Sequence, residues 1–455
     1  MCLNECIMSG FSQLHPRRNM LVKVLLVFVL SLILLIPQGM ISSLIWERQS
    51  VQESAILEVS EKWGGEQVFG GPYISVPFKE KREEWEEIKD GREQAVRKEV
   101  KIFYDDHQWV VLPSHLKIHV KVMPEIRQRG IYQVVVYRSQ SVLSGTLTMP
   151  RPMDLGIDST LIDWNKARWI FTLPDPKGIE TADLQINNQS LTLVSGEIPN
   201  NQRGISAKMD GLKQGLSMNF QMNLDINGSQ TLSFVPLGKT TEVHVEGAWP
   251  SPSFNGQFLP DSSQIGQSFS AWWKILHLNR SFPETWKDDT YQVYEDTFGL
   301  SLFSPVDHYQ KSHRSVKYAY MFIVLTFIAL FFMEMWQKIF VHPMQYLLTG
   351  LALVIFYALL IALSEHWRFN WAYGVSSVAT VALIGGYIRG ILHSTKLASM
   401  MVGILTILYT FIFIILQQED YALLMGSIGM FLILGIIMYF SRKIDWSLSS
   451  ESLNP

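Results

Sequence analysis

The chain has 455 residues, a hydrophobic fraction of 48% with 14 Trp and 25 Phe, and a formal net charge of -3. It lacks the basic stripe that binding to nucleic acid requires. Its 2 cysteines, Cys2 and Cys6, precede the first apolar run, so everything after it is without a disulfide framework, a cysteine nucleophile or a thiolate metal site.

The apolar residues are clustered. Residues 318–440 are almost continuously apolar, whereas residues 47–313 have the composition of a globular segment. Residues 1–19 show no apolar pattern and are expected to form a cytoplasmic segment, with Met1 and Met20 as alternative starts. A first span is expected over 20–45. Arg17, Arg18 and Lys23 introduce it like a signal peptide, but its apolar core is too long and no small-x-small cleavage site follows before Trp46, which is the pattern of an uncleaved signal-anchor.

A short helix is expected next, because Val51, Ala55, Val59 and Trp63 share one face and Gly64-Gly65 can end it. From Val68 to about Gly247 the period becomes two. In "LSMNFQMNLDI", residues 216–226, apolar and polar side chains alternate without a break, which is a strand with one buried face. The following "NGSQTLSFV" reads as a hairpin return through a three-residue loop, Asn227 to Ser229, pairing Leu224 with Leu232 and Met222 with Phe234. Further strands are expected at "LKIHVKV", "IYQVVVY", "SLTLVSG" and "TEVHVEG", giving a β-sandwich-like domain over residues 46–317. The mixed-charge run at 79–99 reads as a solvated loop or hairpin tip. His115 and His119 lie four apart on one strand face, too widely spaced to share a metal. No zinc, phosphate-loop or nucleophile-elbow motif occurs, so no catalytic, cofactor-binding or metal-ligating residue is assigned.

Five further spans are expected at 318–340, 345–363, 369–388, 397–416 and 421–440, each near the roughly 20 residues that cross a bilayer, followed by a tail at 441–455. Lys338, Arg389 and Lys396 lie in alternate connections and Arg442 and Lys443 follow the last span, opposite the connections that carry Glu365, His366 and Arg368, then Glu419 and Asp420. Arg314 and Lys317 fall on the other side, but they end a long translocated domain, for which the positive-inside rule is weak. By that rule both termini are cytoplasmic and the large domain is outside. The Gly386/Gly390, Ser399/Gly403 and Ala422/Gly426 pairs are expected to pack helices closely.

An ionisable residue within a span is a functional hypothesis by default. Glu334 is the acidic residue in these apolar runs. It falls near the inner headgroups, where it would meet water, Lys338 one turn on, or His342. A boundary carboxylate is the expectation, and a proton relay through Glu334 and His342 is the alternative. Glu365, His366 and Arg368 sit at the opposite mouth, either docking the outer domain or lending simple loop polarity. Arg314 and Lys317 stand at the join, able to reach lipid phosphates or to snorkel.

The strings "WERQSVQESAILEVSEKWGGEQVFGGPYISVP", "MPEIRQRGIYQVVVY", "WPSPSFNGQFLP", "FGLSLFSPVDHYQ" and "VHPMQYLLTGLALVIFYALLIALSEH" stand in this order along the chain. Together they resemble the CreD family of bacterial inner-membrane proteins, also described as cell-envelope integrity proteins. The resemblance runs from about Met20 onward. It implies a Gram-negative inner-membrane protein tied to a two-component stress response, and it brings no catalytic residues. The expectation is therefore a non-enzymatic, cofactor-free integral membrane protein: one signal-anchor helix, a large mostly β periplasmic domain and a five-helix bundle. Its partners would be the lipid bilayer and a periplasmic envelope component, with oligomeric state open. The alternatives are a proton-coupled transporter or channel using Glu334 and His342, and a membrane enzyme acting on a lipid or wall precursor at the outer face with Glu365 and His366.

Overall fold

The computed structural model describes residues 20–89, 95–196, 198–199, 202–302, 308–337, 340–418 and 421–442. By internal contacts the chain divides into two units. Glu53–Pro305 forms one; Met1–Gln52 with Val306–Pro455 forms the other.

The first unit is β-rich. Its strands are β1 (Gln67–Lys89), β2 (Ala95–Val111), β3 (His115–Arg129), β4 (Tyr132–Thr148), β5 (Arg168–Thr172), β6 (Ile179–Ile186), β7 (Gln189–Leu191), β8 (Leu193–Ser195), β9 (Gly204–Lys208), β10 (Ser217–Ser229), β11 (Thr231–Phe234), β12 (Thr240–Gly247), β13 (Pro252–Gly256), β14 (Ser262–Ile265), β15 (Phe269–Leu276), β16 (Thr285–Lys287) and β17 (Phe298–Leu302). One sheet runs β13-β17-β11-β1-β5-β9-β8, with β2 paired to β1 and β16 to β2. The other runs β14-β15-β12-β3-β4-β10-β6-β7. Strict alternation makes the second sheet: β3 reads exposed-buried for its first eight residues, turning Leu116, Ile118, Val120 and Val122 to one face, and β10 does the same with Met218, Phe220, Met222 and Leu224. Both sheets contribute to one core, and they meet where Trp169 of β5 stands edge-on to Phe220 of β10 at 4.8 Å between ring centres.

Two expectations change here. The hairpin at Asn227–Ser229 does not form. β10 stays paired to β4 as far as Ser229 and to β6 as far as Ile226. At Gln230, whose φ of 57° turns the chain sharply, it leaves for the other sheet. There β11 lies parallel to β1, Leu232 beside Gln67, and antiparallel to β17. The buried faces of the two strings match because both line the common core, which is also what a hairpin would need. The second change concerns residues 79–99, where regular pairing continues from Ile74–Val111 out to Lys89–Ala95. The other neighbours of this ribbon stop early: β5 pairs only as far as Ser75, and β16 reaches only Trp109–Val111. The distal part is a two-stranded hairpin arm, so of the two expected forms the hairpin holds and the loop does not. One of its faces carries exposed Trp85, Val100, Ile102 and Tyr104.

The second unit is helical. Helices α1 (Met20–Ile33) and α2 (Leu35–Trp63) follow one another with a single break at Leu34. After the β-rich segment come α3 (His308–Lys317), α4 (Ala319–Gln337), α5 (Pro343–Ser364), α6 (Phe369–Leu392), α7 (Thr395–Gln417) and α8 (Ala422–Ser441). Six of the helical stretches are long and apolar enough to cross a membrane. Residues 308–317 thus group with the membrane helices rather than with the β-rich segment. Helix α2 ends at Gly64, whose φ of 148° and contact with the Asn227 carbonyl leave no room for a β-carbon.

Close packing does not fall at the expected small-residue pairs. No atom lies near the β-carbon position of Gly386, Gly390, Gly403 or Gly426, whereas Gly350 receives Leu34 and Phe327, Gly385 meets Val402, and Gly429 lies under the Phe411 ring. The spacing marks helix faces that permit close approach; it does not say which neighbour arrives.

Candidate functional site

The helical unit has one polar cluster at each end. At the first, Glu334 sits on the last turn of α4 and is 3% exposed. Its Oε1 accepts from the Lys23 ammonium of α1 and, at 2.8 Å, from the Val341 amide; its Oε2 accepts from the Tyr346 hydroxyl of α5 at 2.9 Å. Lys23 also lies over the Phe340 ring. The carboxylate therefore ties three helices and the Val341 backbone together, and each oxygen has a donor. Burying such a charge costs several kcal/mol unless it is paired and hydrogen-bonded in this way.

His342 is not a partner of Glu334 among the described residues. It caps α5, its Nδ1 accepting from the Met344 amide at 3.3 Å while its own amide donates to Gln345 Oε1 at 3.0 Å. Pro343 follows at the first helical position, where a missing N–H costs nothing. The structure thus gives His342 a capping role. Lys338 lies outside the described residues.

At the opposite end Glu365 closes α5. Its Oε1 accepts from the Tyr309 hydroxyl of α3 at 3.2 Å and lies 3.5 Å from Arg48 Nε on α2. Trp46 stands edge-on to His313 at 4.6 Å, and Gln38 donates to the Val316 carbonyl at 3.3 Å. Arg314 donates to the Gln418 carbonyl at the end of α7, at 2.9 Å. The residues expected at the mouth separate accordingly: Glu365 and Arg314 knit helices, while His366, Arg368 and Lys317 are exposed. Arg368 precedes α6 at its N-cap without a side-chain bond. Since the Glu365–Arg48 pair faces solvent at its arginine, Glu365→Gln is expected to cost less than about 1 kcal/mol. A melting curve of the detergent-solubilised protein would read this as a shift of at most a few degrees.

Between the ends, the buried polar side chains are hydroxyls, among them Thr326, Thr349, Ser364, Ser376, Ser377 and Thr380. A lateral groove of about 500 Å³ lies between α6 and α7, with Tyr373, Ser377, Val378, Thr406 and Phe413 in its walls. It carries no carboxylate, amine or imidazole. At its mouth Gln417 donates to Asn370 at 2.6 Å.

In the β-rich unit, Arg280 is a buried charge that no sequence pattern announces. It donates to the Pro236 and Leu237 carbonyls at 3.1 Å each and lies over Phe282. Burial pulls its guanidinium down to about 10, still charged at neutral pH. Among the described residues no group of three or more His, Cys, Asp or Glu gathers to hold a metal.

Six membrane-crossing helices, one before and five after a two-sheet β unit, define a multi-span membrane protein with a large inserted extramembrane domain. The family model described as "Inner membrane protein CreD" matches residues 19–447. The inner membrane protein CreD of Escherichia coli (strain K12) is 31% identical over 423 residues, covering 91% of each chain. The chain belongs to the CreD family of inner membrane proteins.

Proposed function

We propose that this chain is a non-enzymatic inner-membrane protein that supports envelope integrity under stress. Both termini are cytoplasmic, and the β-rich unit lies on the outer side, where it contacts an envelope component. The orientation rests on the basic residues of alternate connections. The observation that carries the contact is the β1–β2 arm. A lone ribbon with Trp85 65% exposed beside Val100, Ile102 and Tyr104 is costly in water unless something covers it. Support against proton-coupled transport comes from Glu334, whose partners close it at one end of the bundle, and from a groove whose described walls carry no carboxylate, amine or imidazole.

The test is rescue of bile-salt and detergent sensitivity in cells lacking the protein, at equal membrane expression. Wild type and His366→Ala are expected to rescue, and the triple change Trp85→Ser/Ile102→Ser/Tyr104→Ser is expected to fail while its melting temperature stays near that of the wild type. Loss with His366→Ala alone would favour the outer-face enzyme. Loss with Glu334→Gln, in protein that still melts normally, would favour the transporter. Full rescue by the ribbon variant would overturn the contact reading.

A further inference from the structure

On the exposed face of the second sheet, β3 and β12 run parallel in a register that sets His119 beside His244, 125 residues apart. Their Nδ1 atoms are 2.8 Å apart. The rest of that face brackets them with opposite charges. Lys117 is in register with Glu242, at 3.5 Å between side chains, and Lys121 with Glu246. Outward along the same row stand Val142 of β4 and Trp272 of β15.

His244 is held on all sides. Its ring stacks on Trp272 at 3.9 Å and 16°, and its Nε2 lies 2.9 Å from Ser270 Oγ. In the tautomer with the proton on Nε2, the serine hydroxyl accepts that proton and the Nδ1 lone pair is aimed at His119. This is the outer-shell hydrogen bond that ligating histidines typically make. Burial and the neighbouring His119 lower the pKa of His244, with Glu246 opposing, so the neutral, ligating form prevails at neutral pH.

We propose that His119 and His244 form a bidentate site for a copper(II) ion on the outer face of this sheet, with water in the remaining positions. The close approach of the two rings favours one geometry over the other. With bonds of about 2.0 Å, two nitrogens sit about 2.8 Å apart at a right angle and about 3.3 Å apart at a tetrahedral one. The nitrogens, 2.8 Å apart in the hydrogen bond they make without metal, need to separate least to reach the right angle of tetragonal copper(II) or nickel(II), and more to reach that of tetrahedral zinc. Copper binds such nitrogen donors most tightly of the divalent series. Binding requires the ring that carries the proton between the two Nδ1 atoms to hold it on Nε2 instead, so both rings stay neutral, both Nδ1 lone pairs face the ion, and no oxidation state changes.

The full chain, carrying an affinity tag without histidines and with Cys2 and Cys6 alkylated, would be titrated with copper(II) in detergent. The expected result is one equivalent whose electron paramagnetic resonance spectrum shows two nitrogen ligands. His119→Gln and His244→Gln should each weaken it at least tenfold, Ser270→Ala should do so by about tenfold, and His115→Gln should have no effect. Zinc should compete poorly. The equivalent should be released on acidification, because the ion binds neutral nitrogen donors in competition with protons. Uptake unchanged in the folded His119→Gln/His244→Gln variant, or no equivalent in the wild type, overturns the proposal. A second readout needs no variant: copper should shield His119 and His244, but not His115, from acylation by diethyl pyrocarbonate mapped by mass spectrometry. Equal labelling with and without copper would also overturn it.

Discussion

Glu334→Ala is expected to lower the unfolding free energy of the helical unit by about 3 to 5 kcal/mol, the cost of leaving one member of a buried pair uncompensated. The change removes the acceptor of three donors at once: the Lys23 ammonium, the Val341 amide and the Tyr346 hydroxyl. The amide is buried and has no water to turn to. Lys23, on a helix that otherwise meets the bundle through apolar contacts such as Leu34 against Gly350, would have to withdraw or discharge. Unfolding by sodium dodecyl sulfate titration, followed by tryptophan fluorescence, measures the loss. The informative companion is Lys23→Met/Glu334→Leu, which removes both charges and fills similar volume. If the cluster is architectural, the double variant recovers most of the stability and still supports growth on bile salts. If Glu334 carries protons in turnover, the double variant is stable and inactive.

Trp169→Ala in the β-rich unit is expected to cost a similar amount, about 3 to 5 kcal/mol, for a different reason. Trp169 is fully buried on β5, between β1 and β9, and it reaches across to Phe220 of the other sheet. Its removal leaves a void at one of the places where the two sheets touch through large rings, the other being Trp273 of β15 against Phe254 and Phe298, and strands fixed on both sides cannot collapse into it. Denaturant unfolding monitored by near-ultraviolet circular dichroism should show a lower midpoint with little change in slope. Trp169→Phe should recover part of the loss, since it keeps an aromatic edge for Phe220. An unchanged midpoint in Trp169→Ala would mean that the two sheets do not share the core described above.

The sequence makes the membrane helices, the β-rich segment and the faces of β3, β10 and β12 legible, because each is written in a local period of 20 apolar residues or of two. What it hides is every pairing that closes over a long distance. Glu334 has Lys338 and His342 nearby in sequence, yet its cation comes from 311 residues away, on a helix separated from it by the whole β-rich segment. His119 has His115 on its own strand, but its neighbour is on a strand 125 residues later, brought alongside by a parallel register that no turn announces. The Asn227–Ser229 hairpin fails for the same reason. Alternation identifies which face is buried, and in a two-sheet core the same face suits a partner in either sheet. Small-residue spacing was similarly silent about neighbours, as Gly350 and Gly385 found them while Gly386 and Gly390 did not.

The parallel pairing of β1 with β11, and the antiparallel pairing of β11 with β17 beyond it, also set a timetable for synthesis. Gln67–Phe69 waits for residues 232–234, which in turn wait for residues 298–301, so the first sheet cannot close until nearly the whole segment has been made. Contacts this distant in sequence fold slowly, and open strand edges recruit wrong partners meanwhile. A nascent chain stalled between residues 70 and 300 would therefore be held by its first helix while presenting an unfinished sheet edge. During that interval this protein should depend most on holding chaperones and be most open to proteases.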